Sequence, residues 1–355
     1  MSKPFVSVLI DTYNHERFIE QAIASVLEQD VSAAEVEVIV VDDGSTDSTP
    51  AIVRKFIPRI RYLRKANGGQ ASAFNAGIPE TRGEIVAFLD GDDWWSREKL
   101  RCVVSAMTAD PAIGMVGHGF VESFDSGMEK VIVSEASERF RLASVRSAQA
   151  FRLRRCYFGT SRLTLRAAFA RQLLPVPEVL KIEADEFLFT LAAALADLFI
   201  LCEPLAHYRV HGGNLFLAAG GSLDGLRRKQ RALAALATAL NSRLLAFGVP
   251  DDVVRCTVEI VEAEAAQLRL ALVGGWPWET YRTESTIYRI QHGDASWKNR
   301  LFRQASMIPA LLLPPRWFYG GRRWLASQSW YKRAREKALS VPGFTRIGAA
   351  AQTHE

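Results

Sequence analysis

The stretch Glu84–Ser96, EIVAFLDGDDWWS, runs from an apolar core into three carboxylates within four positions, Asp90, Asp92 and Asp93, and then two indoles, Trp94 and Trp95. Ile85 to Leu89 reads as a buried strand. Anions crowded at its end repel one another unless water or a cation offsets them. Asp-x-Asp at a strand end is a hard oxygen set suited to Mg²⁺ or Mn²⁺, with one or two carboxylates on the ion and substrate phosphates completing its shell. The competing reading is a helix start, with Asp92 or Asp93 as the cap of the segment that follows. Capping needs only one carboxylate, which leaves Asp90 and Asp92 as the candidate metal pair.

Upstream, FVSVLID (5–11), VEVIVVD (36–42) and RIRYLRK (59–65) also read as strands. Between them HERFIEQAIASVLEQD places Phe18, Ile19, Ala22, Ile23, Val26 and Leu27 on one helical face. Ser45, Thr46 and Asp47 are cap residues before a helix with Pro50 in its first turn, and NGGQASAFNAGIPE is a Gly-opened helix. Strand and helix thus alternate four times in about 90 residues, which predicts an α/β, Rossmann-like, mainly parallel sheet with right-handed crossovers and helices on both faces. Ligands of such sheets sit beyond the carboxyl ends of the strands. Those ends carry Asp11-Thr12-Tyr13-Asn14, Asp42-Asp43-Gly44-Ser45 and Asp90-Gly91-Asp92-Asp93. After residue 110 the pattern loosens into mixed strand and helix, and from Leu226 onward it is mainly helical.

The 355 residues are 48% hydrophobic and 23% charged, an ordinary globular composition. The sequence enters a strand pattern within a few residues, so no signal peptide is expected, and no apolar run approaches the roughly 20 residues of a membrane span. Cys102, Cys156, Cys202 and Cys256 lie far apart with no C-x-x-C pair, which favours neither zinc nor a disulfide framework and points to a reducing cytoplasm. The net charge of +5 hides an asymmetry: residues 1–110 hold 12 Lys/Arg against 17 Asp/Glu, and residues 296–355 hold 11 against 2. The acidic part argues against nucleic acid as substrate, whereas the basic end suggests an anionic partner.

VSVLIDTYNHERFIEQAIASVLEQ, VEVIVVDDGSTDST, NGGQASAFNAG and GEIVAFLDGDDWW resemble, in order and spacing, the motifs of family 2 glycosyltransferases, the inverting nucleotide-sugar transferases of GT-A fold. The resemblance covers about residues 4–215. It implies a GT-A domain over 1–222, with a nucleotide-binding half at about 4–110 and an acceptor half at about 111–222, and a helical region over 223–355. It implies that Asp11 lies at the nucleotide site, that Tyr13 lies against the base, that Asp43, or else Asp42, hydrogen-bonds the base, and that Asn67, Gly68 and Gly69 line base and ribose. Asp90 becomes the ribose-side acid and a metal ligand, and Asp92 the principal ligand of Mn²⁺ or Mg²⁺. Trp94 and Trp95 then floor the sugar or acceptor pocket, or one of them packs in the core.

Inversion needs a general base for the acceptor hydroxyl. The family supplies it as the Asp of a Glu-Asp pair opening a helix, and in KIEADEFLFTL the pair is broken by Ala184. Register makes Asp185 the base, with Glu183 and Glu186 as rivals. In YRVHGGN, Arg209 and His211 are implied at the diphosphate. The resemblance points to a UDP-sugar donor, with TDP and GDP open, and to a glycan or lipid-linked glycan acceptor in surface polysaccharide synthesis. Two other classes compete: an Asp-nucleophile phosphatase, whose Asp-x-Asp-x-Thr motif fails at Trp94, and a non-catalytic sugar-nucleotide binder, favoured by the broken pair. Near the end, Trp317, Phe318, Tyr319, Trp324, Trp330 and Tyr331 alternate with arginine and lysine, a pattern suited to a cytoplasmic protein peripheral on an anionic membrane surface or to a basic solvated helix.

Overall fold

A computed structural model of the chain describes residues 5–32, 35–212, 223–291 and 307–328. The four expected strands form as β1 (Val6–Thr12), β2 (Val36–Asp42), β3 (Arg61–Arg64) and β4 (Ile85–Asp90), and all pair in parallel in the order β3-β2-β1-β4. Between them run α1 (Ile19–Leu27), α2 (Thr49–Arg54) and α3 (Gln70–Gly77). α1 buries Ile19, Ala22, Ile23 and Val26, the i, i+3, i+4, i+7 positions of its apolar stripe. None of the three proposed caps is the N-cap of α2, which is Ser48; Asp47 lies one residue before it, its carboxylate accepting the Thr49 N–H at 2.9 Å.

The fifth strand departs from expectation. Trp94–Trp95 form a short β5, and the next helix, α4 (Lys99–Ala109), begins only after it. Neither Asp92 nor Asp93 therefore caps α4, because a strand separates them from its first turn. Beyond come β6 (Ile113–Phe124), β7 (Glu129–Ile132), β8 (Glu138–Phe140), α5 (Val145–Arg154), β9 (Thr164–Arg166), α6 (Ala167–Gln172), α7 (Ala184–Leu195) and β10 (Asp197–Val210). The sheet continues β4-β9-β6-β10-β5, with β9 antiparallel to both neighbours, β10 parallel to β6 and β5 antiparallel to β10. It is thus parallel only in its first half and mixed in the second.

Packing divides the chain into two units, residues 1–212 with 238–254, and residues 213–237 with 255–355. The described part of the second is built from the helices Leu223–Ala246 and Asp251–Leu272 (each in part), Pro277–Gln291, Ile308–Leu312 and Pro315–Ser327. Among the described residues no helix is long and apolar enough to cross a membrane.

Candidate active site

Parallel register brings the strand ends together: Asp11 lies opposite Asp90, and Thr12 opposite Asp42. The two neighbouring acids of the second strand then take different jobs. Asp42 is fully buried, accepting the Ser45 N–H at 2.7 Å and the Tyr62 hydroxyl at 2.5 Å. It closes its own turn. The Asp43 carboxylate reaches across to the NGG segment, accepting from the Gly68 N–H at 3.0 Å, the Gly69 N–H at 2.6 Å and the Lys65 ammonium at 2.7 Å. Asp43 therefore fixes the loop that also carries Asn67. Gly69 adopts φ +87°, and a Cβ there would stand 2.6 Å from Lys181 Cα. What demands glycine at 69 is close approach of the chain itself.

The acids of the third turn are held from several sides. The Asp90 N–H donates to Ser161 Oγ at 3.1 Å, and that hydroxyl donates to Asp93 Oδ2 at 2.6 Å. The Arg209 N–H caps Asp93 Oδ1 at 2.9 Å, and its guanidinium donates to the Asp92 carbonyl at 2.9 Å and to Gln21 at 2.6 Å. Arg209, implied at a diphosphate, is engaged here in gripping the turn, with Phe18 and Trp94 rings 4.7 and 4.4 Å from its Cζ. His211 Nε2 lies 3.1 Å and His15 Nε2 3.9 Å from the Asp92 carboxylate.

Electrostatics separates these acids. Burial pushes Asp11 and Asp90 well above the usual carboxylate range, and the Asp92 charge adds to both shifts. Burial also raises Asp92, but His15 and His211 outweigh it and hold that carboxyl below its ordinary value. Burial, with Asp92, pushes Asp93 up to about 7. Asp11 Oδ1 is buried without a hydrogen-bond partner among the described residues.

Asp185 occupies the first turn of α7, where its Oδ2 accepts the Thr160 N–H at 3.0 Å and the Thr160 hydroxyl at 3.2 Å. Its charge is near enough to raise Asp11 and Asp90. Of the rivals, Glu186 is buried and paired with Arg155 at 2.5 Å, and Glu183 precedes the helix at φ +65°. Gln70 links the two sides of the site: its Nε2 donates to Thr160 Oγ1 at 2.9 Å, and its Oε1 accepts the Ala184 N–H at 3.0 Å.

The tryptophans differ as well. Trp95 is buried, its Nε1 donating to the Ser161 carbonyl at 2.9 Å and its ring 3.4 Å from the Lys99 ammonium. Trp94 is half-buried and stacks on His207 at 4.7 Å. Tyr13 is 36% exposed at the edge of the cluster. Asn14, in left-handed conformation at φ +57°, accepts the Thr46 N–H at 2.8 Å and so ties the first strand end to the second. Sequence reasoning missed Asn14 as a tie, and also Gln70, Thr160 and Ser161. Asn14 and Gln70 lie inside quoted motifs, whereas nothing in GTSR distinguishes Thr160 and Ser161 from surface polar residues.

The model of the family described as Glycosyl transferase family 2 matches residues 7–171. An uncharacterized glycosyltransferase of Nostoc sp., alr2836, is 32% identical over 235 residues, which is 64% of this chain and 71% of the Nostoc protein. The poly(ribitol-phosphate) beta-N-acetylglucosaminyltransferase TarS of Staphylococcus aureus is 37% identical over 99 residues, 27% of this chain and 17% of TarS. The crystal structure of TarS residues 1–349 with UDP-GlcNAc superposes with a TM-score of 0.51 at 18% identity, over 82% of this chain and 91% of that one. The mannosyltransferase PcManGT of Pyrobaculum calidifontis, in complex with GDP-Man and Mn²⁺, gives 0.52 at 22% identity over 96% and 88%. The fold is GT-A-like, with a mainly helical C-terminal region.

Proposed function

The chain belongs to glycosyl transferase family 2 and is a glycosyltransferase, and from that premise we propose that it moves a sugar, with inversion, from a nucleotide diphosphate sugar to a hydroxyl of a glycan or lipid-linked glycan in surface polysaccharide synthesis. The observation that carries this reading is the convergence of Asp11, Asp90, Asp92 and Asp185 at one edge of the sheet. UDP is the first donor nucleotide to test and GDP the second, because TarS and PcManGT are crystallised with UDP-GlcNAc and GDP-Man.

The residues fit a divalent cation. Asp11 and Asp90 are raised by burial and by Asp92, and Asp11 Oδ1 lacks a partner among the described residues. A cation beside Asp92 would relieve that repulsion. Asp92 and Asp90 would hold Mn²⁺ or Mg²⁺, which when bound offsets charge on the leaving diphosphate. Tyr13 lies against the base, and Asp43 reads it while anchoring Gly68 and Gly69; Asn67 lines the same loop. His211 orients the Asp92 carboxylate. Trp94, rather than the core-packed Trp95, faces the sugar or acceptor.

Asp185 takes the proton from the acceptor hydroxyl as that oxygen bonds to the anomeric carbon and the nucleoside diphosphate departs on the opposite side. Thr160, whose N–H and hydroxyl both donate to Asp185 Oδ2, would hold that carboxylate in place for this. In a panel of nucleotide sugars, Asp185→Asn should lower the rate of nucleoside diphosphate release by roughly 10²–10⁴-fold while leaving nucleotide affinity unchanged. Full activity in that variant would move the base elsewhere. Nucleotide binding with no turnover in the wild-type chain would favour the non-catalytic binder that Ala184 suggests.

A further inference from the structure

The helical unit carries a cluster of arginines that the donor site does not use. Arg227 and Arg231, one turn apart on the helix Leu223–Ala246, join Arg269, Arg316, Leu272 and Val273 around a cavity of about 320 Å³. Arg227 is paired with Asp224 at 3.0 Å and Arg269 with Glu279 at 3.2 Å. No carboxylate among the described residues pairs with Arg231 or Arg316. The cavity thus presents a surplus of guanidinium charge beside an aliphatic wall, of which Val273 is exposed.

Arg316 is the second residue of the helix Pro315–Ser327, and that helix is two-sided. Phe318 and Tyr319 are buried with Leu270 and Ala310. The other side sets Trp317, Gly320, Gly321 and Trp324 at i, i+3, i+4 and i+7, with open space above both glycines among the described residues. Trp317 is 73% and Trp324 61% exposed. Trp276 and Leu312, in the segments leading to and from this packing, are exposed as well. Large apolar side chains gathered in the open mark an interaction surface. Here they adjoin cations: Arg316 lines the cavity and is followed directly by Trp317.

We propose that this face docks on an anionic lipid bilayer, with the arginine cavity taking a lipid phosphate and Trp317 and Trp324 entering the headgroup layer. Guanidinium groups match phosphate through paired donors, indoles favour headgroup depth, and basic residues are drawn to an anionic leaflet. A second copy of the same face would bring arginines against arginines, which disfavours self-association through it. The inference stands apart from the donor reading, since no residue of the acid cluster enters it.

The full chain should co-sediment with phosphatidylcholine vesicles containing phosphatidylglycerol, and not with phosphatidylcholine alone. The exposed pair R231A/R316A should weaken binding roughly 25-fold, about fivefold for each arginine. W317A/W324A should also weaken it and abolish the quenching of tryptophan fluorescence by brominated lipid, while circular dichroism confirms that both variants are folded. Failure to bind the anionic vesicles overturns the proposal, as does equal binding by both variants. A W317A/W324A variant that loses a dimer but keeps vesicle binding overturns it in favour of a second copy.

Discussion

Ser161 lies where the acid turn, the core and the loop before β9 meet. Its hydroxyl bonds Asp93 and accepts from Asp90, while its carbonyl accepts from the Trp95 indole and from Lys99 at 3.0 Å. Burial and the neighbouring Asp92 charge outweigh the hydrogen bonds that Ser161 and Arg209 donate to Asp93, and its carboxyl is raised from 3.8 to about 7. The folded chain therefore holds a proton that the unfolded chain has released between those values. Its contribution to stability is complete below about pH 4 and is lost as pH rises to about 7. Asp93→Asn should remove this slope, so thermal unfolding of the variant should fall less than that of wild type between pH 4.5 and 8, roughly the window set by the shift. Parallel Tm curves for the two proteins would contradict it.

At the scale of elements, the proposed donor and base sides meet through the start of α3. Gln70 ties Thr160 and the first turn of α7 together, and Thr160 in turn holds Asp185. Gln70→Ala should lower kcat about tenfold and leave KM for the donor near its original value, because it displaces the proposed base without touching the nucleotide loop. A change in KM alone would place Gln70 in donor binding instead. Gly69→Ala acts on the same junction through strain. A side chain at φ +87° and 2.6 Å from Lys181 Cα should destabilise the fold by about 2 kcal/mol or more, read from urea unfolding. The alternation that builds β1 to β4 was legible because period-2 and period-3.6 patterns are local. The Gln70–Thr160 and Asp43–Gly69 bonds were not, since each joins loops that only the finished sheet brings together. β5 was illegible for a related reason: two tryptophans are too short a run to signal a strand, and their pairing partners Ala206 and His207 lie more than a hundred residues away. Without that strand, Asp92 and Asp93 look like helix caps.

For the molecule as a whole, charge and motif order carried the sequence reading furthest. Acids placed at three strand ends were expected to gather at one edge of the sheet, and parallel pairing sets Asp11 against Asp90 there. Which acid does what depended on burial and on neighbours. Asp42 and Asp43 are adjacent in sequence, yet one closes its own turn and the other holds a distant loop. The aromatic residues near the end divided in the same way, Phe318 and Tyr319 inward and Trp317 and Trp324 outward, while Trp330 and Tyr331 lie outside the described residues. The central claim is that the acid edge is a donor site completed by a divalent cation on Asp92. Calorimetric titration of UDP, then GDP, into wild type and Asp92→Asn, each with Mn²⁺ and with chelator, tests it most directly. Tight nucleotide binding is expected only for wild type with Mn²⁺, weakened at least tenfold by either chelation or the substitution, on the order of one lost charge-assisted contact. Binding of equal strength in all four conditions would contradict it and leave Asp92 a structural partner of His15 and His211.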